Sequence, residues 1–422
     1  MTSYYRTGED DEKTMRNDKP LPQAFIPLAW SNLAAQAAEQ LSLAAVPLVA
    51  VLKLNSGPGE IGFLATIQTL PFLLLSIPLG LLADRMSRRM LMVAAESLRA
   101  LSLLALLIAT LLDQLSLPLL AILGFLGALG TVGFSVAAPS LVPSLVPRES
   151  LGLANGRLEL ARSVAFAAGP ALAGALVSWA GASSAFVLAS VLSLAAVVLL
   201  FRLHEPARLP LPAKHPLLDL QEGARMVWQH HLLKPILLTS IAWNVSWFVM
   251  QAAYIPYAVR TLGMSASTVG MTLASYGAGM IVGSLLAQRV IRGVPFGVAV
   301  MIGPLVSVLA SAAMLATLWA PSAVLAGFSF FLFGVGPILW TITSTTLRQT
   351  VTPGAMLGRV SAIFLTVNAG VRPLGAALGG VVGSHWGEAA CLALSLFGFC
   401  IQAALIVCSA VRTLQVLPPR DG

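Results

Sequence analysis

Apolar residues run through this chain in blocks of twenty or more, divided by short polar breaks. At 1.5 Å of rise per residue, about 20 apolar residues in a helix cross the ~30 Å hydrocarbon core of a bilayer. The blocks predict twelve spanning helices, at approximately 24–52, 60–83, 89–112, 117–142, 151–178, 182–203, 234–261, 266–288, 295–318, 321–347, 357–384 and 387–411. The break over 204–233 is longer than the other interior ones and divides the spans six and six. Inside it Leu217, Leu220, Ala224, Val227 and Trp228 recur at helical spacing, so an amphipathic helix is expected along the membrane surface, as a plain linker or with a regulatory role. The domain plan is a disordered cytoplasmic tail over 1–22, a six-helix bundle over 23–203, the linker over 204–233, a second six-helix bundle over 234–412 and a cytoplasmic tail over 413–422.

The two halves echo each other. A shift of 206 places Pro147 on Pro353, Leu151 on Leu357, Gly169 on Gly375, Gly174 on Gly380 and Gly181 on Gly387 without a gap. Duplication of a six-span unit is what a two-bundle secondary transporter is built from. The fold class expected is therefore an all-α membrane protein, with twelve transmembrane helices in two pseudo-symmetric six-helix bundles.

Composition narrows the function. Charged residues make up 10% of the chain and hydrophobic ones 57%, against about 25% charged in a soluble domain. The excess of Lys and Arg (25) over Asp and Glu (17) would suggest nucleic acid in a soluble protein, but here the basic residues gather at span ends. With both termini inside, Lys53 and Arg260 fall at outer ends, Arg99, Arg157, Arg162 and Arg372 fall within spans, and the remaining nineteen lie on the cytoplasmic side. Residues 1–20 lack the apolar stretch of a signal peptide. Cys391, Cys400 and Cys408, spread along the last span, read as small apolar residues rather than disulfides or metal ligands. No P-loop and no nucleophile elbow occur, so neither an ATPase motor nor an enzyme is expected. The energy source would be a proton gradient, with no cofactor and no metal.

Between the second and third spans stands Gly80-x-Leu82-Ala83-Asp84-Arg85-x-x-Arg88-Arg89. It resembles the loop signature of the major facilitator superfamily, with Ser87 where glycine is usual. Leu141-Val142-Pro143-x-Leu145-Val146-Pro147-Arg148-Glu149-x-Leu151 before Ala154-Asn155-Gly156 looks like the start of the fifth helix in the enterobactin-exporter and macrolide-efflux branch, as does Gln349-Thr350-x-Thr352-Pro353-x-x-Met356-Leu357-Gly358-Arg359-Val360. Gly169-Pro170-x-x-Ala173-Gly174 partly matches the antiporter signature of the fifth helix. The resemblance implies that Asp84 faces the inner end of the eleventh helix and helps hold a cytoplasmic gate shut, with Gly80, Arg85, Arg88 and Arg89 completing the motif. The alternative is that these charges only orient the hairpin. The second copy, Ala287-Gln288-Arg289 with Arg292, has lost the acid, so the bias is expected to rest mainly on Asp84.

Carboxylates within spans are costly, at least about 2.5–3.5 kcal/mol each at the bilayer centre, and so should face a partner or a cavity. Glu96 with Arg99, and Glu159 with Arg157 and Arg162, are expected as intramembrane ion pairs. Glu39 has no basic residue within seven positions in its span. Burial favours the neutral form of a lone carboxyl, which makes Glu39 either a proton carrier or a protonated acid that merely packs. Asn32, Gln36 and Gln40 lie near it along the first span, while Asn244, Trp247, Gln251 and Tyr254 form a polar-aromatic face in the seventh, with Trp243 beside it. The family resemblance implies that the first and seventh helices wall the central cavity, with Trp340, Thr341 and Arg372 as further candidates. Gly169, Pro170, Gly174, Gly375 and Gly379 leave helix faces bare for close packing, with or without a hinge.

The function expected is proton-coupled export of a small amphipathic organic molecule (a drug, macrolide or siderophore) by alternating access, from a monomer in a bacterial inner membrane. The partners are the lipid bilayer, the substrate and protons, without nucleic acid. A facilitator or importer of a metabolite or lysolipid on the same fold is the alternative. A non-transporting receptor or scaffold is the alternative of another class.

Overall fold

The structure is a computed structural model that describes residues 21–147, 150–205, 216–353 and 356–418. Residues 1–20 of the predicted N-terminal tail, linker positions 206–215 and the final 419–422 lie outside the described residues. Among the described residues there are helices and turns and no strand. The first bundle consists of α1 (Ile26–Leu54), α2 (Pro58–Arg85), α3 (Arg88–Leu111), α4 (Leu117–Leu145), α5 (Leu151–Ala180) and α6 (Ala182–Phe201). The amphipathic helix is α7 (Pro216–Gln229). The second bundle follows as α8 (Leu233–Arg260), α9 (Ala266–Gly293), α10 (Phe296–Ala316), α11 (Ala323–Val351) and α12 (Leu357–Val407).

α12 is 51 residues long but is two spans, because Gly387 breaks it with φ 80° and ψ 178°. Gly181, between α5 and α6, has φ 83° and ψ 170°. This corner of backbone space is closed to residues with a Cβ, and the two glycines are the pair related by the 206-residue shift. Each reverses the chain with one residue. Four of the other helices start with serine caps. The Oγ atoms of Ser87, Ser116, Ser265 and Ser322 accept the amides of Met90, Leu119, Thr268 and Leu325, satisfying donors that a helix start leaves open. Ser116 and Ser322 are again 206 apart.

Large apolar side chains cover the outside, as lipid contact requires. Trp179, Trp319 and Trp386 are 82%, 77% and 68% exposed, all at the face opposite α7, where an aromatic belt meets the interface. α7 seats Gly223 and Val227 inward, against α8 and α12, with Glu222 paired to Arg359.

The bundles meet mainly along two crossings, α2 on α12 and α5 on α9. Both are glycine contacts: a Cβ on Gly62 would sit 2.4 Å from the Gly380 Cα, and one on Gly174 would sit 2.9 Å from the Gly270 Cα. These crossings lie in the halves away from α7. At that same far face Arg260, at the end of α8, donates to the Asn55 carbonyl at the end of α1. One end of the bundle interface is thus closed by backbone-to-backbone packing and a hydrogen bond across it.

Candidate functional site

Nine of the twelve spans enclose a cavity of about 640 Å³ between the bundles. The first bundle lends it an acid–base cluster. Glu39 of α1 lines the cavity, and its Oε2 lies 3.7 Å from Nη1 of Arg99 on α3. Arg99 also pairs with Glu96 one turn earlier and donates to Thr131 Oγ1 of α4 at 3.2 Å. Glu96 is fully buried and accepts the Ser193 hydroxyl of α6. Four helices therefore converge on one arginine held between two carboxylates. The first-span sequence showed Glu39 alone; the chain folds its cation in from sixty residues away, a contact that no helical spacing signals.

The second bundle contributes aromatic rings and amides. Trp243 and Trp247 stack at 5.3 Å with planes 10° apart, and Trp247 continues onto Tyr276, Phe330 and Phe333. Asn244, Gln251, Trp340 and Arg372 also line the space, as does Gln40 from α1. The Arg372 guanidinium lies 5.9 Å from the Phe72 ring centre, across the bundle interface. Trp243, beside the face read from α8, lines the cavity with it; Tyr276, Gln68 and Asn368 line it too, although the sequence singled out none of them. Asn368 stands one turn before Arg372, a spacing that could have found it, whereas Tyr276 and Gln68 sit among serines and threonines that occur on several sides of α9 and α2.

Some expected residues lie elsewhere. Asn32 sends its Nδ2 to the Leu158 carbonyl at 3.2 Å and serves the α1–α5 contact. Gln36 is outside the cavity lining as well. Tyr254 is fully buried behind the wall, its hydroxyl bonded to Thr272 and its ring edge-on to Phe330 at 4.5 Å. It shares a face with Trp247 and Gln251, but neighbouring α9 and α11 cover that face one turn further on. Glu159 and Arg162 pair as i,i+3 neighbours, yet they are 57% and 40% exposed rather than buried. Arg157, two residues from Glu159, falls on another side of α5, is exposed, and joins no ion pair among the described residues.

The glycines expected to pack do so. Gly169 closes on Gln40 of α1, Gly375 on Val245 and Gly379 on Val249 of α8, while Gly174 makes the bundle crossing; Pro170 lines the cavity. In the motif loop, the side chains of Asp84 and Arg85 and the surroundings of Gly80 lie outside what is described. Ser87, Arg88 and Arg89 are brought to Glu205, just past α6. The Arg88 and Arg89 amides donate to its carboxylate at 3.1 and 3.0 Å, and the Ser87 hydroxyl does so too. Arg89 in turn donates to the Leu200 and Phe201 carbonyls at 3.2 and 2.8 Å. An acid thus sits on the start of α3 and a base on the end of α6, each where the helix dipole favours it. Burial opposes the Glu205 charge, but the Ser87 hydroxyl, the two amides and the Arg88 charge outweigh it and hold the carboxyl below its ordinary range. No group of three or more metal-ligating side chains occurs among the described residues.

Comparison with known proteins agrees with this architecture. The sequence profile of the Major Facilitator Superfamily matches residues 28–376. Enterobactin exporter EntS of Shigella flexneri is 26% identical over 344 residues, 81% of either chain, and that of Citrobacter koseri is 27% identical over 345. A bacterial homologue of the human lysosomal transporter Spinster, solved inward-facing and unoccupied, has a TM-score of 0.70 at 16% identity, over 93% of this chain and 97% of that one. A bacterial homologue of the iron transporter ferroportin, also inward-facing, has a TM-score of 0.70 at 16% identity, covering 92% and 100%. A twice-repeated six-span bundle, a cavity on the interface between the copies and a family match over most of the chain lead to one conclusion: this protein belongs to the Major Facilitator Superfamily and is a multi-pass membrane transporter, not an enzyme.

Proposed function

We propose that this transporter exports a small amphipathic organic molecule across a bacterial inner membrane, driven by inward proton flow, with both termini and α7 in the cytoplasm. One observation carries the reading: Glu39 is the carboxylate of the cavity lining, and it shares Arg99 with Glu96. With both acids ionised the trio has a net charge of −1. A proton on Glu39 brings it to zero and leaves Arg99 to Glu96 alone. The cavity wall then loses its exposed negative charge, which lowers the cost of closing it against lipid-like surroundings. Proton binding thereby favours one of two bundle arrangements, as coupling requires.

The glycine crossings on the far face and the Arg260 hydrogen bond support a state closed outside and reached from the α7 side. The Trp243–Trp247 wall suits a ligand with apolar rings such as a drug, macrolide or siderophore. The relatives named as enterobactin exporters support the outward direction. The energetics suffice, since one proton crossing 100 mV releases about 2.3 kcal/mol, which sustains a more than tenfold gradient.

The test is efflux of a fluorescent amphiphile from energised vesicles, wild type against Glu39→Gln. Proton-driven export that Glu39→Gln abolishes is the expected result. Unchanged export in the variant overturns the role of Glu39, and uptake independent of the proton gradient overturns the export reading.

A further inference from the structure

The cavity holds three arginines. Arg99 has Glu96 and Glu39, and Arg162 has Glu159. Arg372 has no ion-pair partner among the described residues. Its guanidinium faces Phe72, and its Nε is buried without a hydrogen-bond acceptor. A second lining donor, Trp243 Nε1, is buried and equally without an acceptor. An unpaired cation and an unmatched donor inside a membrane protein each carry a cost, and natural sites keep such groups where a ligand completes them. Glu39, whose charge Arg372 feels across the cavity without contact, is engaged with Arg99 at 3.7 Å.

We infer that the transported molecule is an aromatic organic anion, whose acidic oxygens engage Arg372 and whose ring lies on the Trp243–Trp247 wall. The guanidinium fork matches a carboxylate or sulfonate with paired hydrogen bonds. The indole N–H takes a further ligand oxygen. Arg372 is then a specificity-determining residue: it selects for charge, while the aromatic wall selects for ring area. This inference rests on the cavity being the transport site proposed above, but not on the direction or energy source of transport.

The purified full-length protein, without a membrane gradient, tests it. Three probes share the naphthalene ring and carry an anionic, a neutral or a cationic group: 2-naphthalenesulfonate, 2-naphthalenemethanol and 2-naphthylmethylammonium. Quenching of tryptophan fluorescence reports binding. The sulfonate is expected to bind at least about tenfold more tightly than either other probe, in keeping with one charge-assisted contact. Arg372→Gln should remove that preference, bringing the sulfonate affinity down to that of naphthalenemethanol without lowering the melting temperature, and Arg372→Lys should keep part of it. Equal affinity for the three probes in the wild type overturns the inference even if a variant misfolds. So does a sulfonate preference that survives in Arg372→Gln. Because no gradient is involved, these outcomes leave the export reading standing; loss of proton-driven efflux with the sulfonate preference intact would do the reverse.

Discussion

Arg99 shows how much of a membrane bundle a single buried side chain can tie together. It is 3% exposed and joins α1, α3 and α4 through Glu39, Glu96 and Thr131. Removing one partner of a buried pair strands the other, at about 3–5 kcal/mol. Arg99→Ala is therefore expected to lower the melting temperature in detergent sharply, and the double change with Glu96→Gln to recover much of it; purified-protein melts decide between this and an expendable arginine. Glu205 gives a pH-dependent counterpart. Its carboxyl is held below its ordinary range, so its contribution is present above the usual glutamate value, about 4.3, and is lost as pH falls through the lower folded-state value. The wild type should out-melt Glu205→Gln at pH 7, and the difference should shrink once pH drops below about 4. A gap that persists unchanged into acid would show that the brace is not electrostatic.

At the scale of helices, the bundle crossings work because glycine brings backbones into contact. A methyl group on Gly62 would meet the Gly380 Cα at 2.4 Å, so α2 and α12 must part. Overpacking of this kind costs about 1–3 kcal/mol, enough to move a two-state equilibrium about fivefold or more. Gly62→Ala is expected to speed labelling from the far face of a cysteine placed at cavity position Thr69 in a cysteine-free background. No acceleration would mean that this crossing does not close the outer side. The spans themselves were legible because lipid tolerates little but apolar helix, and the repeat was legible because Gly169, Gly174, Gly181 and their partners keep one offset. Gly62 and Gly270 fill equivalent places in the two crossings, yet they are separated by 270 − 62 = 208 positions. A comparison at 206 passes over them. Helix faces are less legible along their length: Trp247 and Tyr254 share one face of α8, so the sequence does not tell that Trp247 meets the cavity while Tyr254, two turns on, meets α9. The Glu39–Arg99 contact was hidden for a different reason, since it joins two helices that only the folded bundle brings together.

For the molecule as a whole, Lys53 and Arg260 are the basic residues at the face opposite α7, and both have work there. Lys53 pairs with Asp113 at 2.9 Å within the first bundle, whereas Arg260 reaches across the interface to the Asn55 carbonyl. A cation at the carboxyl end of a helix gains about 0.3–1 kcal/mol, a bias small enough for substrate or proton to reverse. Arg260→Gln should enlarge the population open at the face opposite α7, read as longer distances between spin labels at Asp113 and Trp319 on opposite bundles; unchanged distances would remove Arg260 from the closure. The reversals at Gly181 and Gly387 bear on how the protein is made. Each joins two spans with one residue, so α5 with α6, and the two limbs of α12, offer no separate loop to carry over the membrane. Each pair is therefore expected to enter the membrane as one hairpin, the last span of either half together with the one before it.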